Sequence, residues 1–463
     1  MRECIIVGNR ICYNGITVTV DALYDEAFNR YSDSCAPNYY NDSYVVNELF
    51  QYRIRDYLAI EFFLTEHAIE SVDARKATFE IKLFVRDIAR KKDIRCSSGL
   101  LVWEKTRSVF SYALYHFASF LYLQFLMIRI PHKRFQGPQE SSFSVLRSKA
   151  GAQKMRKFVF IYKETENPGD KSSVYRYFGR GTRLFWVIKA YFSSFRTIRA
   201  INDAYAPLVG REFRYTVKDY YRSRIVHTEL FTILMRHYFS YFRGSNYYTA
   251  NNLDRFSVIE ERVAASYHIK TFNIPHGIEY GFKFPKGFSC DVFYAYSEYS
   301  AGYLNQLYNT NKFVYDESVV ERMLKLDAQG ESHPQYVVFF TEPREVNVNL
   351  DIVSALKPLM DKHGWTLYLK LHPTDKKSNY DSLGCPYITD YTASLTGNIC
   401  ISRKSTILLE AIYNNSIPIA IITNEKDASI FKTFPSLNSD KIIKRYNVED
   451  LFQTILELKN DNS

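Results

Sequence analysis

The chain lacks most of the short signatures that assign a protein at sight. Its seven cysteines (Cys4, Cys12, Cys35, Cys96, Cys290, Cys385 and Cys400) are scattered, odd in number and without a CxxC pair. That argues against a zinc site or a disulfide framework and for buried free thiols in a reducing compartment. Ile5-Ile6-Val7 reads as a first strand, but Gly8 follows it without a GxGxxG, so there is no dinucleotide fingerprint. The segment Met1 to Gly8 has neither the length nor the composition of a signal peptide. No solenoid-period repeat, no low-complexity segment and no Asp-x-Asp cluster at an expected strand end is present.

One long stretch lacks charge altogether. Ser108 to Ile128 holds no Asp, Glu, Lys or Arg, with Lys105 and Arg107 before it and Arg129, Lys133 and Arg134 after it. Its length suits a membrane span. Against that, it carries Ser111, Tyr112, Tyr115, His116, Ser119, Tyr122 and Gln124, and basic residues on both flanks give no orientation signal. It is expected as a buried or interfacial helix, and the basic, aromatic surroundings suit an anionic lipid surface.

What is present is ordinary in bulk and unusual in detail. At 463 residues the chain suits two domains of roughly 200 residues each. With 46% hydrophobic and 24% charged residues it belongs with globular proteins. The 38 Tyr and 34 Phe are unusual, and many precede residue 310, interleaved with Lys and Arg. A net charge of +10 favours anionic partners. Nucleic acid, acidic lipid and sugar nucleotides all qualify, so charge alone does not choose. The basic run Arg90 to Arg95 reads as a solvated helix end.

The hydrophobic pattern predicts an α/β protein. Residues 20–95 read as mainly helical, Phe158 to Tyr162 as a strand, and Thr182 to Tyr241 as helical and aromatic. Then come strand Gly244–Ala250, helix Leu253–Tyr267, strand Ile269–Ile274, strand Val292–Tyr296 and helix Ser297–Tyr308. A polar segment, Asp316 to Pro334, leads to strand Tyr336–Phe340, helix Leu350–His363 and strand Trp365–Lys370. Strand Ile399–Ile401, helix Ile407–Ile412, strand Ile417–Ile422 and helix Val448–Lys459 complete the chain. We expect a helix-rich domain over residues 1–310, a linker over 311–334 and a nucleotide-binding domain over 335–463. Alternating strands and helices build parallel sheets, which bind ligands at the carboxyl ends of their strands.

Several polar residues fall at such ends. His372-Pro373 follows the Trp365 strand, where an imidazole can bond a phosphate and stabilise a leaving group, and the proline restrains the loop. Ser402-Arg403-Lys404-Ser405-Thr406 follows the Ile399 strand. Ser405 or Thr406 suits an N-cap, the helix start suits phosphate, and Arg403 and Lys404 add charge. Thr341 and Glu342 lie in the loop after the Tyr336 strand, a candidate donor-side loop. His276, beside Gly277, can serve as a general base, with Glu279 the carboxylate alternative. Each feature alone also occurs in ordinary turns and capped helices; their joint placement at strand ends is what points to a nucleotide site.

The segment Asn251-Asn252-Leu253 through Pro275-His276-Gly277 resembles the acceptor half of bacterial surface-polysaccharide glycosyltransferases of the GT-B fold. The Thr341-Glu342-Pro343 loop, Lys370-Leu371-His372-Pro373 and Ser402 through Glu410-Ala411 resemble their donor half. The group includes capsule polysialyltransferases, lipooligosaccharide sialyltransferases and Kdo transferases, and the resemblance covers roughly residues 244–425. Residues 1–240 carry no such resemblance and no recognisable acidic catalytic motif. Many relatives have Gln before the His-Gly pair where this chain has Pro275.

The resemblance implies two Rossmann-like domains facing a cleft, with Asn251 and Asn252 on the acceptor side. It also implies that His372, Ser405 and Thr406 hold the CMP portion of a CMP-linked sialic acid, other nonulosonate or Kdo. The acceptor would be a glycan or glycolipid at the inner face of the cytoplasmic membrane, with the enzyme peripheral and cytoplasmic. No metal, no cofactor and no nucleic acid partner is expected. The rival readings are a CDP-polyol phosphotransferase of the teichoic-acid type and a non-catalytic RNA- or membrane-binding protein.

Overall fold

Residues 10–19 form a hairpin set by Asn14-Gly15, whose φ values of 49° and 77° supply the two left-handed residues that a tight hairpin turn demands. The computed structural model describes residues 2–24, 55–137, 141–147, 151–152, 155–158, 165–215, 224–250, 255–275, 290–326, 335–343, 345–425, 427–428, 431 and 435–460. It is mixed α/β and divides into two units: Met1–Asn273 with Lys283–Asp291, and Ile274–Phe282 with Val292–Ser463.

Unit 1 begins with β1 (Glu3–Gly8), β2 (Arg10–Tyr13), β3 (Ile16–Thr19), α1 (Arg55–Glu66), β4 (Ser71–Ala77), α2 (Phe79–Lys91) and β5 (Arg95–Ser97). The strands lie in the order β3-β2-β1-β4-β5, antiparallel from β1 through β3 and parallel from β1 through β5. β1 alternates, with Cys4 and Ile6 buried against α1 and α2 while Ile5 and Val7 stay exposed. The expectation of a mainly helical 20–95 needs correction, because β4 lies within it. Its Val72, Ala74 and Ala77 are buried while charged Asp73, Arg75 and Lys76 lie between them, which breaks a plain apolar signal.

Next come α3 (Val102–Arg129), β6 (Ser142–Phe143), α4 (Arg180–Val209), α5 (Ile225–Phe239), β7 (Asn246–Thr249), α6 (Arg255–Ser266) and β8 (Lys270–Asn273). β6, β7 and β8 pair in parallel. α5 is apolar on most of its surface and is a core helix, packed by Trp186 and Val187 of α4 and Ile259 and Val263 of α6. Much of the aromatic excess sits here, as in the Phe143–Phe242 stack at 4.0 Å. These rings are packing material of the core. The strand expected over 158–162 lies outside the described residues except for Phe158, which is in a turn.

α4 ends at Gly210 with φ 77° and ψ 160°, a region essentially open to glycine alone. A Cβ there would lie 2.2 Å from Oδ1 of Asp87. Asp87 is buried and cannot yield freely: Arg90 and Lys91 pair with it at 2.7 and 2.8 Å, and the Tyr57 hydroxyl donates to it at 3.1 Å. The basic run at 90–95 is thus a helix end tied to its own core. Gly210→Ala is expected to lower stability by about 3 kcal/mol, from backbone strain plus the clash. Urea unfolding measures it, and a cost under about 0.5 kcal/mol would remove the argument.

Unit 2 contains β9 (Val292–Tyr294), α7 (Glu298–Tyr308), β10 (Phe313–Val314) and α8 (Glu317–Leu324), with β9 and β10 parallel. Residues 311–326, expected as linker, therefore carry regular structure; 327–334 lie outside the described residues. Then follow β11 (Val337–Phe340), α9 (Val346–Lys362), β12 (Leu367–Lys370), α10 (Tyr391–Leu395) and β13 (Ile399–Ser402). α11 (Ile407–Ile412), β14 (Ile417–Ile421), β15 (Ile443–Arg445) and α12 (Val448–Asn460) close the unit.

The five strands β11 to β15 are all parallel, in the order β12-β11-β13-β14-β15. Every residue of β11 and β13 is buried, as central strands covered on both faces require. Val337 and Phe339 pack with α9 and α12, and Val338 and Phe340 with Leu395 of α10 and Ala411 of α11. The described cysteines are free thiols, with Cys4, Cys290, Cys385 and Cys400 buried.

Candidate functional site

The strand order in unit 2 reverses between β11 and β13: β12 follows on one side, and β13, β14 and β15 on the other. Loops leaving the carboxyl ends of two such strands diverge, and the crevice between them is where open parallel sheets take ligands. Thr341 and Glu342 leave β11, His372 and Pro373 follow β12, Ser402 ends β13, and Ser405 and Thr406 follow it. All of the expected donor-side residues therefore share one edge of one sheet. β12 and β13 flank β11, so their loops start about 10 Å apart, two strand spacings.

The β11 and β12 loops are tied together. The His372 amide donates to Thr341 Oγ1 at 3.1 Å, and Thr341 is buried. The Thr374 amide donates to His372 Nδ1 at 3.2 Å, so that nitrogen carries a lone pair and the neutral ring holds its proton on Nε2. The ring is exposed, and Nε2 has no hydrogen-bond partner among the described residues. Behind it, Asn349 donates to the Glu342 carbonyl at 2.7 Å and to the Tyr380 hydroxyl at 2.8 Å. Tyr380 donates in turn to Asp375 at 2.7 Å. Burial and the bond to Asp375 push the Tyr380 phenol up to about 12, so it stays neutral and acts as a strut.

Two buried polar atoms at this edge have no partner among the described residues, the Ser402 hydroxyl and Glu342 Oε1, although the Glu342 carboxylate also takes a hydrogen bond from the Lys404 backbone. Buried polar groups are nearly always bonded, so an unfilled pair at a strand-end crevice marks a place for a polar ligand. Burial raises the Glu342 carboxyl above its ordinary 4.5, against the pull of Lys404 and Arg403. The native state then holds this proton more tightly than the unfolded chain. The contribution is fully present below the unfolded value and is lost as pH rises through the raised one. Glu342→Gln, which has nothing to ionise, is expected to gain in melting temperature relative to the parent as pH rises from about 4.5 to about 8. A difference that stays flat across that range would contradict the shift.

Two expectations for the β13 loop need correction. Arg403 and Lys404 do not add free positive charge. Arg403 is fully buried and grips Asp427 through Nε at 2.7 Å and Nη2 at 2.9 Å. Its Nη2 also meets Glu345 at 2.8 Å, while Lys404 reaches Asp427 at 2.7 Å and Glu345 at 3.1 Å. Two cations face two anions, which cancels the local charge. The helix start is also weaker than expected: α11 has only six residues, Thr406 makes no side-chain cap, and Ser405 Oγ accepts a long 3.4 Å bond from the Ile407 amide. Ser405 and Thr406 can offer hydroxyls, but one and a half turns supply little helix field.

Asp427 and Glu345 were not legible as partners. Nothing in Asn424 to Asp427 marks a residue that will pair 24 positions upstream. Glu345 adopts φ 63°, unusual without glycine, and is held there while its carboxylate bonds both cations. Asn251, Asn252, His276 and Glu279 lie outside the described residues. In unit 1 a recess of about 460 Å³ lies between α5 and α6, lined by Arg236 and Arg262 but by no carboxylate or imidazole. Among the described residues no three His, Cys, Asp or Glu side chains group as a metal site. No protein-family model matches the chain, and no curated protein matches it.

Proposed function

We propose that this chain is a GT-B glycosyltransferase. It moves a sugar, favoured as sialic acid, another nonulosonate or Kdo, from a CMP-activated donor to a cell-surface glycan or glycolipid. The observation that carries the reading is the carboxyl end of the unit 2 sheet, where adjacent strands bring an exposed imidazole N–H, a buried hydroxyl and a buried carboxyl oxygen that have no partner among the described residues. The choice of cytidine and of sugar comes from the sequence resemblance.

In this reading His372 Nε2–H donates to a phosphate oxygen of the departing nucleotide, with Ser405 and Thr406 hydroxyls beside it. Ser402 and Glu342 bond the donor's hydroxyls, and Thr341 and Pro373 hold the loop. The acceptor oxygen attacks the anomeric carbon while its proton passes to His276 or Glu279. The bond from that carbon to the phosphate oxygen breaks, its electron pair leaves with CMP, and the centre inverts. The Arg403 cluster acts as scaffold, not as phosphate ligand.

Thermal melting against CMP, CDP, UDP and GDP tests the site. At a hundredfold excess over Kd, CMP is expected to add about 2.7 kcal/mol of stability, and no shift with any nucleotide would overturn the reading. With a CMP-sugar donor, turnover is expected to survive EDTA; loss with the chelator would overturn the metal-free part.

A further inference from the structure

Exposed large apolar side chains are concentrated on α3. Trp103, Phe110, Leu114, Phe117, Leu121 and Phe125 are all about half exposed or more. Their spacing of seven, four, three, four and four places them on one stripe of the helix. The stripe is about 33 Å long at 1.5 Å per residue. The opposite stripe is docked on unit 1 through polar groups. Ser108 donates to the Tyr215 carbonyl at 2.9 Å and His116 Nε2 meets the Ser194 hydroxyl at 2.9 Å; on the flank beside Phe117, Gln124 donates to the Leu184 carbonyl at 3.2 Å. Leu123 and Met127 on the docked stripe enter the core.

α4 runs alongside and adds exposed Phe185, Ile188, Phe192 and Phe195, with the Phe195 ring 4.8 Å from His116. Exposed Lys189 and Arg196 each directly follow one of these apolar residues, whereas Arg199 pairs with Asp203 at 3.8 Å. The stems of Lys189 and Arg196 can cover apolar surface while the charges reach outward.

We propose that the α3–α4 face lies in the headgroup layer of an anionic bilayer, with α3 parallel to the membrane plane. By length and composition alone α3 could cross a membrane. Its docked polar stripe and the cations of the adjoining α4 instead fit a helix that lies on the surface. Charge decides between lipid and a second copy of the chain. Exposed Arg107 stands near one end of the stripe and exposed Arg129, Lys133 and Arg134 at the other. Two copies packed face to face, parallel or antiparallel, would oppose like charges; anionic lipid meets all of them.

The full chain is tested by sedimentation with vesicles of phosphatidylcholine alone or mixed with phosphatidylglycerol. Anionic vesicles are expected to bind it at least tenfold more tightly. Trp103 emission should shift to the blue and be quenched by brominated acyl chains. Phe110→Ser with Leu121→Ser should lower binding at least tenfold. Arg129→Ala, Lys133→Ala and Arg134→Ala together should lower it about fivefold per cation at low salt. These positions are exposed, so melting temperature and circular dichroism check that each variant folds. Equal binding to neutral vesicles, or unquenched Trp103, would overturn the proposal. So would a concentration-dependent dimer that the Phe110/Leu121 variant abolishes. The surface is independent of the nucleotide site: failure here leaves the CMP melting shift untouched, and loss of that shift leaves vesicle binding intact.

Discussion

Asp427→Ala is expected to destabilise the protein by about 3–5 kcal/mol, because it leaves the fully buried Arg403 guanidinium short of two of its bonds. Net stabilities of domains are only about 5–15 kcal/mol, so this is a large share of the total. Lys404 also loses its 2.7 Å partner, leaving two cations on the single Glu345 carboxylate. Asp427→Asn keeps the size and one acceptor and should fall between the parent and alanine. Arg403→Met combined with Asp427→Leu removes both charges and should recover much of the loss, since a buried ion pair is often replaceable by apolar residues of like volume. Urea unfolding of the four proteins measures the set. A cost below about 1 kcal/mol for alanine would mean that the cluster does not organise this edge of the sheet.

His372→Ala is expected to do the reverse, leaving stability within about 0.5 kcal/mol while lowering turnover by about 10²–10³-fold. The ring is exposed and its contacts, to the Thr374 amide and hydroxyl, are local, so little folding energy depends on it. Its Nε2–H is the one imidazole donor placed at the crevice among the described residues, and the proposed reaction requires a donor where charge develops on the leaving group. The CMP-dependent rise in melting temperature should shrink in the same variant. Full turnover on a CMP-sugar with His372 replaced would remove the imidazole from the mechanism, whatever became of the nucleotide shift.

Much of unit 2 was readable from residue order. The runs at Val337, Leu367, Ile399 and Ile417 became β11 to β14, because strands buried on both faces are apolar without interruption and turn residues bound them. Asn14-Gly15 is a local turn signal for its hairpin, while β4 is obscured by charges on its open face. In unit 1 the charge-free stretch was expected as a buried or interfacial helix; α3 is a helix but mostly exposed, and which of its sides is docked depended on where Tyr215 and Ser194 ended up.

Local sequence determined the elements and the residues at their ends, since hydrophobic periodicity and turn chemistry act over a few positions. From that alone His372, Thr341, Glu342 and the Ser402–Thr406 loop could be named as strand-end groups. Only the tertiary structure decided that β12 and β13 flank β11, which brings those groups to one end of one sheet. It also turned Arg403 and Lys404 from phosphate ligands into scaffold. Ion pairing depends on which carboxylates the folded chain carries into reach, and Asp427 and Glu345, far along the chain from Arg403 and near it in space, satisfy charges that in sequence stood alone.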